Sequence, residues 1–207
     1  MKIIRLTDEN LEEAARAAAE ALAQGGIIIY PTDTIYGFGV NALDPDALVR
    51  LRTLKVREQK KPVSILVPTI DHIERYGELS PEARAIAERH LPGALTLVLP
   101  ATEHAPKEVL LNDAVGIRVP GDTFSRALGA AFGGPITSTS ANRAGIPTPR
   151  DIQSMIEHFG PDIEHVSVII DGGECGGGVS STVISFAHGD TPRILREGAI
   201  PREELGY

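Results

Sequence analysis

Residues 8–34 read DENLEEAARAAAEALAQGGIIIYPTDT, and this stretch decides the fold class. Asp8 is placed to cap a helix, and Glu12 and Glu13 suit the positive N-terminal end. Leu11, Ala14, Ala15, Ala18 and Leu22 recur at helical spacing until Gly25 and Gly26 stop the pattern. The next four residues, IIIY at 27–30, are β-branched or aromatic and end at Pro31, the signature of a short buried strand. The polar turn Thr32-Asp33-Thr34 then reads as a β-to-α loop. Helix, strand and loop in such close succession specify helices packed on a sheet.

The alternation continues outward. Asp44 and Pro45 read as N-cap and first position of a helix running through residue 54, and a strand fits at 63–67. Ser80-Pro81 opens a helix to about His90, strands fit at 95–99 and 115–119, and 123–132 is helical again. A short strand at 135–138 precedes a helix capped by Thr148-Pro149 and ending near Phe159-Gly160, followed by strands at 166–170, 182–186 and 193–196. The clustered strands at the end require antiparallel pairs, so the expected fold is α/β with a mixed sheet. No internal repeat, Ser-rich linker or composition break divides the 207 residues, and one domain over 1–207 is expected.

Composition narrows the function classes. Apolar residues make up 42% and charged residues 23%, which fits a folded globular chain. With 28 acidic against 20 basic residues the formal charge is −8, which argues against a surface coated for nucleic acid. No apolar run approaches the roughly 18 residues a membrane helix needs, and the N-terminal MKIIRLTDENLEE turns acidic before a signal-peptide core could form. A cytoplasmic location with no membrane contact is expected. Cys175 is the only cysteine, and the six histidines are scattered, so neither an internal disulfide nor a protein-bound transition metal is expected.

Three segments could carry chemistry. Residues 50–61, RLRTLKVREQKK, set three arginines and three lysines against the single acid Glu58. Such a run serves equally as a solvated helix end, but Lys55 and Arg57 fall where the helical pattern fades, in a loop able to wrap a polyphosphate. Residues 137–142, TSTSAN, put hydroxyls at the end of a strand, where they can hold phosphate or carboxylate oxygens or simply form a polar turn. Residues 172–178, GGECGGG, permit close backbone approach to a ligand or make a loose surface loop. Arg118 and Arg196 lie in strands, where a charge needs a partner or a wet cleft. No Walker motif, no dinucleotide-binding glycine fingerprint and no nucleophile elbow occurs.

In order along the chain, PTDTIYGFG (31–39), the K-x-R of Lys55-Val56-Arg57, KKPVSIL (60–66), LPGALTLVLP (91–100), GIRVP (116–120), STSAN (138–142), GVSSTV (178–183) and ILREG (194–198) together resemble the YrdC-like family, the threonylcarbamoyl-AMP synthases in their short single-domain bacterial form. The resemblance implies a twisted mixed sheet with surrounding helices that encloses a deep electropositive cavity. It also implies a nucleotidyltransferase reaction that condenses L-threonine, bicarbonate or CO2, and ATP to threonylcarbamoyl-AMP and pyrophosphate, for the threonylcarbamoyladenosine modification of tRNA. That chemistry needs orientation and charge neutralisation more than a nucleophilic side chain.

Carried over position by position, the family assigns ATP to Arg57, Lys61, Ser140, Thr148 and Arg196, with Lys55 in the same basic motif and Asn142 completing S-x-N. Lys55 and Arg57 are the expected catalytic cations. Threonine is assigned to Thr34, Arg118, Ser138 and Ser181, with Arg118 gripping the carboxylate bidentately. Mg²⁺ would accompany ATP, held by phosphates and water, with no protein metal site. A threonylcarbamoyl transferase is the implied downstream partner, and RNA contact is conceivable. Two positions depart from the commoner pattern: Leu66 stands where many members carry a histidine, and Ala114 where a threonine is usual. The competing readings are a YciO-like nucleotide- or RNA-binding protein without synthase activity, and a carbamoyl-transfer module.

Overall fold

Ten strands form one mixed sheet in the computed structural model, which describes residues 1–56, 62–175, 178–187 and 191–207. The strands are β1 (Lys2–Arg5), β2 (Ile27–Tyr30), β3 (Gly37–Gly39), β4 (Ser64–Leu66), β5 (Leu95–Pro100), β6 (Ala114–Arg118), β7 (Ile136–Ser140), β8 (Val166–Asp171), β9 (Thr182–Ser185) and β10 (Arg193–Arg196). Seven α-helices accompany them among the described residues: α1 (Leu11–Ala23), α2 (Pro45–Leu54), α3 (Ile73–Tyr76), α4 (Pro81–His90), α5 (Thr123–Phe132), α6 (Ile152–Phe159) and α7 (Arg202–Leu205). Across the sheet the order is β1-β8-β2-β3-β7-β4-β6-β5-β9-β10. The pairs β1–β8, β8–β2, β4–β6 and β5–β9 are parallel and the rest antiparallel, so the mixed α/β expectation holds.

Caps explain most helix boundaries. Asp44 Oδ1 accepts from the amides of Asp46 and Ala47, Ser80 Oγ from that of Ala83 and Asp122 Oδ1 from that of Ser125, each satisfying an otherwise orphaned donor. Two expected caps are corrected. Asn10, not Asp8, occupies the N-cap of α1. Thr148 does not start α6; Asp151 does, because its carboxylate reaches Ser154 N at 2.8 Å and Ser154 Oγ at 2.8 Å.

The two halves of the sheet are buried differently. In β2 and β8 both faces are covered: Ile27, Ile29, Val166 and Ile169 point into one core, and Ile28, Tyr30, Val168 and Ile170 into a second under α1 and α5. That is why IIIY and VSVII read as nearly continuous apolar runs. In β4, β6, β5 and β9 only one face is fully apolar. Ile65, Ile117, Leu97 and Ile184 stand in register on that face and are fully buried. The opposite face begins under the helices with Ile136 and Leu66, both in the second core. Two residues along each strand it turns polar, with Ser138 opposite Ser64 and Ser140 opposite Gly37. The same period of two that builds the core therefore lays a polar floor beyond the ends of α1 and α5.

Candidate active site

A cavity of about 440 Å³ opens on this polar floor. β7 contributes Ser138, Thr139 and Ser140, β4 contributes Ser64, and β5 and β9 contribute Thr96 and Val183, which are directly paired. Arg196 of β10 is paired with Val183 and also lines the cavity. Close approach in the floor depends on Gly116: a Cβ there would sit 2.6 Å from Ser64 Oγ.

The loop between β2 and β3 forms one wall and is tied together by a hydroxyl. Thr32 Oγ1 accepts from Thr34 N at 3.1 Å and Ile35 N at 3.2 Å and lies 3.0 Å from Thr34 Oγ1. Arg118, at the end of β6, reaches this wall with its side chain only 7% exposed. One terminal nitrogen donates to Thr34 Oγ1 at 2.9 Å and the other pairs with Asp33 Oδ1. Asp33 Oδ2 accepts from Gly121 N at 3.0 Å, and Asp33 N donates to Asp122 Oδ2 at 3.1 Å. Burial, and then the nearby charge of Asp33, pushes the Asp122 carboxyl above the usual carboxylate value, opposed by the Ser125 hydrogen bonds.

On the opposite wall Ser181 and Thr96 share a hydroxyl contact of 2.9 Å, and Arg196 Nη2 donates to Ser181 O at 2.8 Å. Burial lowers the Arg196 pKa from its ordinary value, and the positive charge of Arg118 lowers it further. Thr182 turns away from the site: its hydroxyl bonds to Ile200 O and the amides of Gly198 and Ile200, fixing the strand that carries Ser181.

Thr34, Arg118, Ser138, Ser140, Asn142, Thr148, Ser181 and Arg196 all line this one cavity, although they come from six separate stretches of sequence. Arg57 and Lys61 lie outside the described residues. Lys55 is placed differently from expectation. It is 2% exposed and its ammonium donates to Ser140 O, Asn142 O and Asn142 Oδ1, so it sits in the wall behind the S-x-N turn and is not among the lining residues. The glycine-rich segment is anchored on one side: Tyr36 Oη donates to Gly173 O at 2.7 Å and accepts from Gly172 N at 3.0 Å. Asp33, Ser64 and Thr96 were not singled out from the sequence. For Asp33 no signal existed, since the arginine it pairs with lies 85 residues away in sequence.

Among the described residues no group of three or more His, Cys, Asp and Glu side chains could hold a metal ion, and no helix is long and apolar enough to cross a membrane. The cavity's described polar lining is made of hydroxyls, the Asn142 amide, backbone and two guanidiniums, with no carboxylate, beside apolar residues such as Ile35, Val63 and Val183. Such a lining suits an anionic, oxygen-rich ligand whose metal ion, if any, arrives with it.

Comparison with known proteins matches residues 20–198 to the Sua5_yciO_yrdC family, described as telomere recombination. A Pyrococcus abyssi threonylcarbamoyl-AMP synthase is 38% identical over 99% of this chain and 60% of its own length. The crystal structure of P. abyssi Sua5 complexed with L-threonine superposes with a TM-score of 0.88 at 36% identity, covering 99% of this chain and 59% of that one. The crystal structure of E. coli YciO superposes with a TM-score of 0.87 at 26% identity, covering 99% and 98%. The chain thus spans about 60% of the length of the P. abyssi relative.

Proposed function

This chain belongs to the Sua5_yciO_yrdC family, and on that premise we propose that it is a threonylcarbamoyl-AMP synthase, a nucleotidyltransferase serving tRNA modification. The observation that carries the reading is the pair of guanidiniums, Arg118 and Arg196, lining one hydroxyl-rich cavity. Two anionic substrates that must react with each other need two such anchors.

In this reading L-threonine lies with its carboxylate on Arg118 and its amine and hydroxyl among Thr34, Ser138 and Ser181. The free amine takes up CO2 with release of a proton, or takes up bicarbonate with loss of water, as the N–C bond forms. The carbamate oxygen then attacks the α-phosphorus of ATP, the bond to the β-phosphate oxygen breaks, and pyrophosphate leaves with the electron pair. Ser140, Asn142, Thr148 and Arg196 would hold the nucleotide, with Arg57 and Lys61 on the phosphates. Mg²⁺ would enter on the triphosphate and neutralise charge there, its shell completed by phosphates and water, with hydroxyl oxygens such as that of Ser140 within the same lining. The side chains supply orientation and charge, and none is required to form a bond to substrate.

Arg118 would not meet the substrate as a bare cation. Asp33 already occupies one terminal nitrogen, so the arginine presents a neutralised, oriented edge to the incoming carboxylate.

The deciding assay is pyrophosphate release from ATP by purified protein, with L-threonine and bicarbonate each omitted in turn. Release that needs both supports the synthase; release or ATP binding indifferent to threonine ends that reading. A second reading rests on the YciO likeness: a nucleotide- or RNA-binding protein without synthase activity. Its signature is RNA affinity that falls steeply with salt and needs no ATP. A cytoplasmic location and hand-over of the unstable product to a threonylcarbamoyl transferase accompany the synthase reading.

A further inference from the structure

Lys55 caps the C-terminal end of α2, and among the described residues its ammonium donates to Ser140 O, to Asn142 O at 2.9 Å and to Asn142 Oδ1 at 3.2 Å. An ammonium donates and never accepts, so these oxygens draw it into the wall. The nitrogen also stands 5.4 Å from the centroid of the Phe38 ring. From the other end of the residue, Lys55 O accepts from Ala144 N at 2.9 Å. One lysine thus holds the 140–144 segment at four points. The next residue, Val56, adopts φ +50°, a left-handed conformation that costs a β-branched residue about 1–2 kcal/mol. The chain accepts that strain directly after turning Lys55 inward.

The contacts dictate what the neighbouring side chains show the cavity. Asn142 Oδ1 receives hydrogen bonds from Lys55 and from Ser140 Oγ, while Asn142 Nδ2 donates to Ile146 O, which fixes the amide's orientation. Ser140 has spent its only hydrogen on Asn142, so toward the cavity its hydroxyl offers lone pairs. Both Ser140 and Asn142 line the cavity and Lys55 does not. We infer that Lys55 is a positioning residue for the nucleotide site: it sets Ser140 and Asn142 from behind the wall and does not touch the phosphates. The inference rests on the nucleotide-site reading of the cavity.

Two measurements on the full chain test it. In the first, the wild-type protein is acetylated with a limiting amine reagent, with and without Mg-ATP, and each lysine is followed by peptide mass spectrometry. Lys55 is expected to react at least tenfold more slowly than the exposed Lys2 and Lys107, at a rate ATP leaves unchanged. A Lys55 that labels like those two and is shielded by ATP overturns the inference. In the second, ATP affinity is measured by calorimetry for Lys55→Met, Asn142→Ala and the double variant. Each single change is expected to weaken binding at least fivefold, and the double variant to lie within twofold of the weaker single, because the lysine acts through the asparagine. Losses that multiply overturn the inference, and the labelling arm decides alone if Lys55→Met does not fold. Wild-type protein that binds no ATP removes the nucleotide-site reading itself, which separates that failure from failure of the lysine's role.

Discussion

The Arg118 guanidinium is shared between Asp33, which takes one terminal nitrogen, and Thr34, which takes the other through its hydroxyl at 2.9 Å. The pair is largely enclosed, with side-chain exposures of 7% for Arg118 and 18% for Asp33. Asp33→Asn would therefore leave a nearly buried cation without its counter-charge. A loss of about 3 kcal/mol in unfolding free energy is expected, measured by urea denaturation. A variant as stable as the parent would show that the charge is solvated and the pair incidental.

Arg118→Lys tests the substrate role of the same group. Lysine keeps the charge but loses the planar fork that reaches Asp33 and Thr34 at once. Threonine affinity should fall at least tenfold, about 1.4 kcal/mol, by calorimetry, while ATP affinity changes by less than threefold. Equal losses for both ligands would mean that the substitution disturbs the whole cavity.

Arg196→Ala should weaken ATP, lowering kcat/KM for ATP at least tenfold in the pyrophosphate assay, with a smaller loss for threonine because Arg196 also donates to the carbonyl and hydroxyl of Ser181. Its contacts with Ser181 O make a small structural loss possible as well, so the thermal midpoint is measured alongside. Unchanged ATP kinetics would take Arg196 out of the nucleotide site.

Gly198 allows β9 and β10 to meet: a Cβ there would stand 2.2 Å from Ser180 O and 2.5 Å from Ser181 C, both backbone atoms that cannot swing aside. Gly198→Ala should cost more than about 2 kcal/mol and lower activity through the displaced Ser181. Full activity with wild-type stability would place slack in a segment that the Thr182 hydrogen bonds are expected to hold rigid.

His158 gives a pH dependence. Burial, and then the charges of Arg143 and Lys55, hold its pKa below the ordinary 6.5, and its Nε2 accepts from Arg143 N at 3.1 Å. A histidine depressed in the folded state binds fewer protons than in the unfolded chain, so its contribution is present above pH 6.5 and is lost as pH falls below that value. Between pH 7 and 5 the wild type should lose stability relative to His158→Gln. A constant difference over that range would mean the imidazole titrates alike in both states.

Local signals made the helices legible. Ser80-Pro81 and Asp44-Pro45 carry their caps in adjacent residues, and α4 and α2 begin there. β1 and β3 were not anticipated: KIIR is too short and charged to stand out, and GFG has two glycines where strand formers are normally counted. Both owe their state to partners distant in sequence, β8 for the first and β2 and β7 for the second. The cavity residues were reachable through motifs, and so was Lys55, but its place in the wall was not. Its charge is visible in the sequence, whereas the three oxygens that absorb it come from residues 85 and 87 positions away.

The alternation in β4, with Ser64 on the cavity floor and Ile65 in the core, ties two properties that proteins often keep apart. Inserting or deleting a single residue in that strand would exchange the two faces, sending isoleucine into the cavity and serine into the apolar interior. Ligand preference in this half of the sheet can therefore evolve by substitution at every second position, but not by changes of strand length. Variation in length has to be confined to the loops, where it leaves the floor intact.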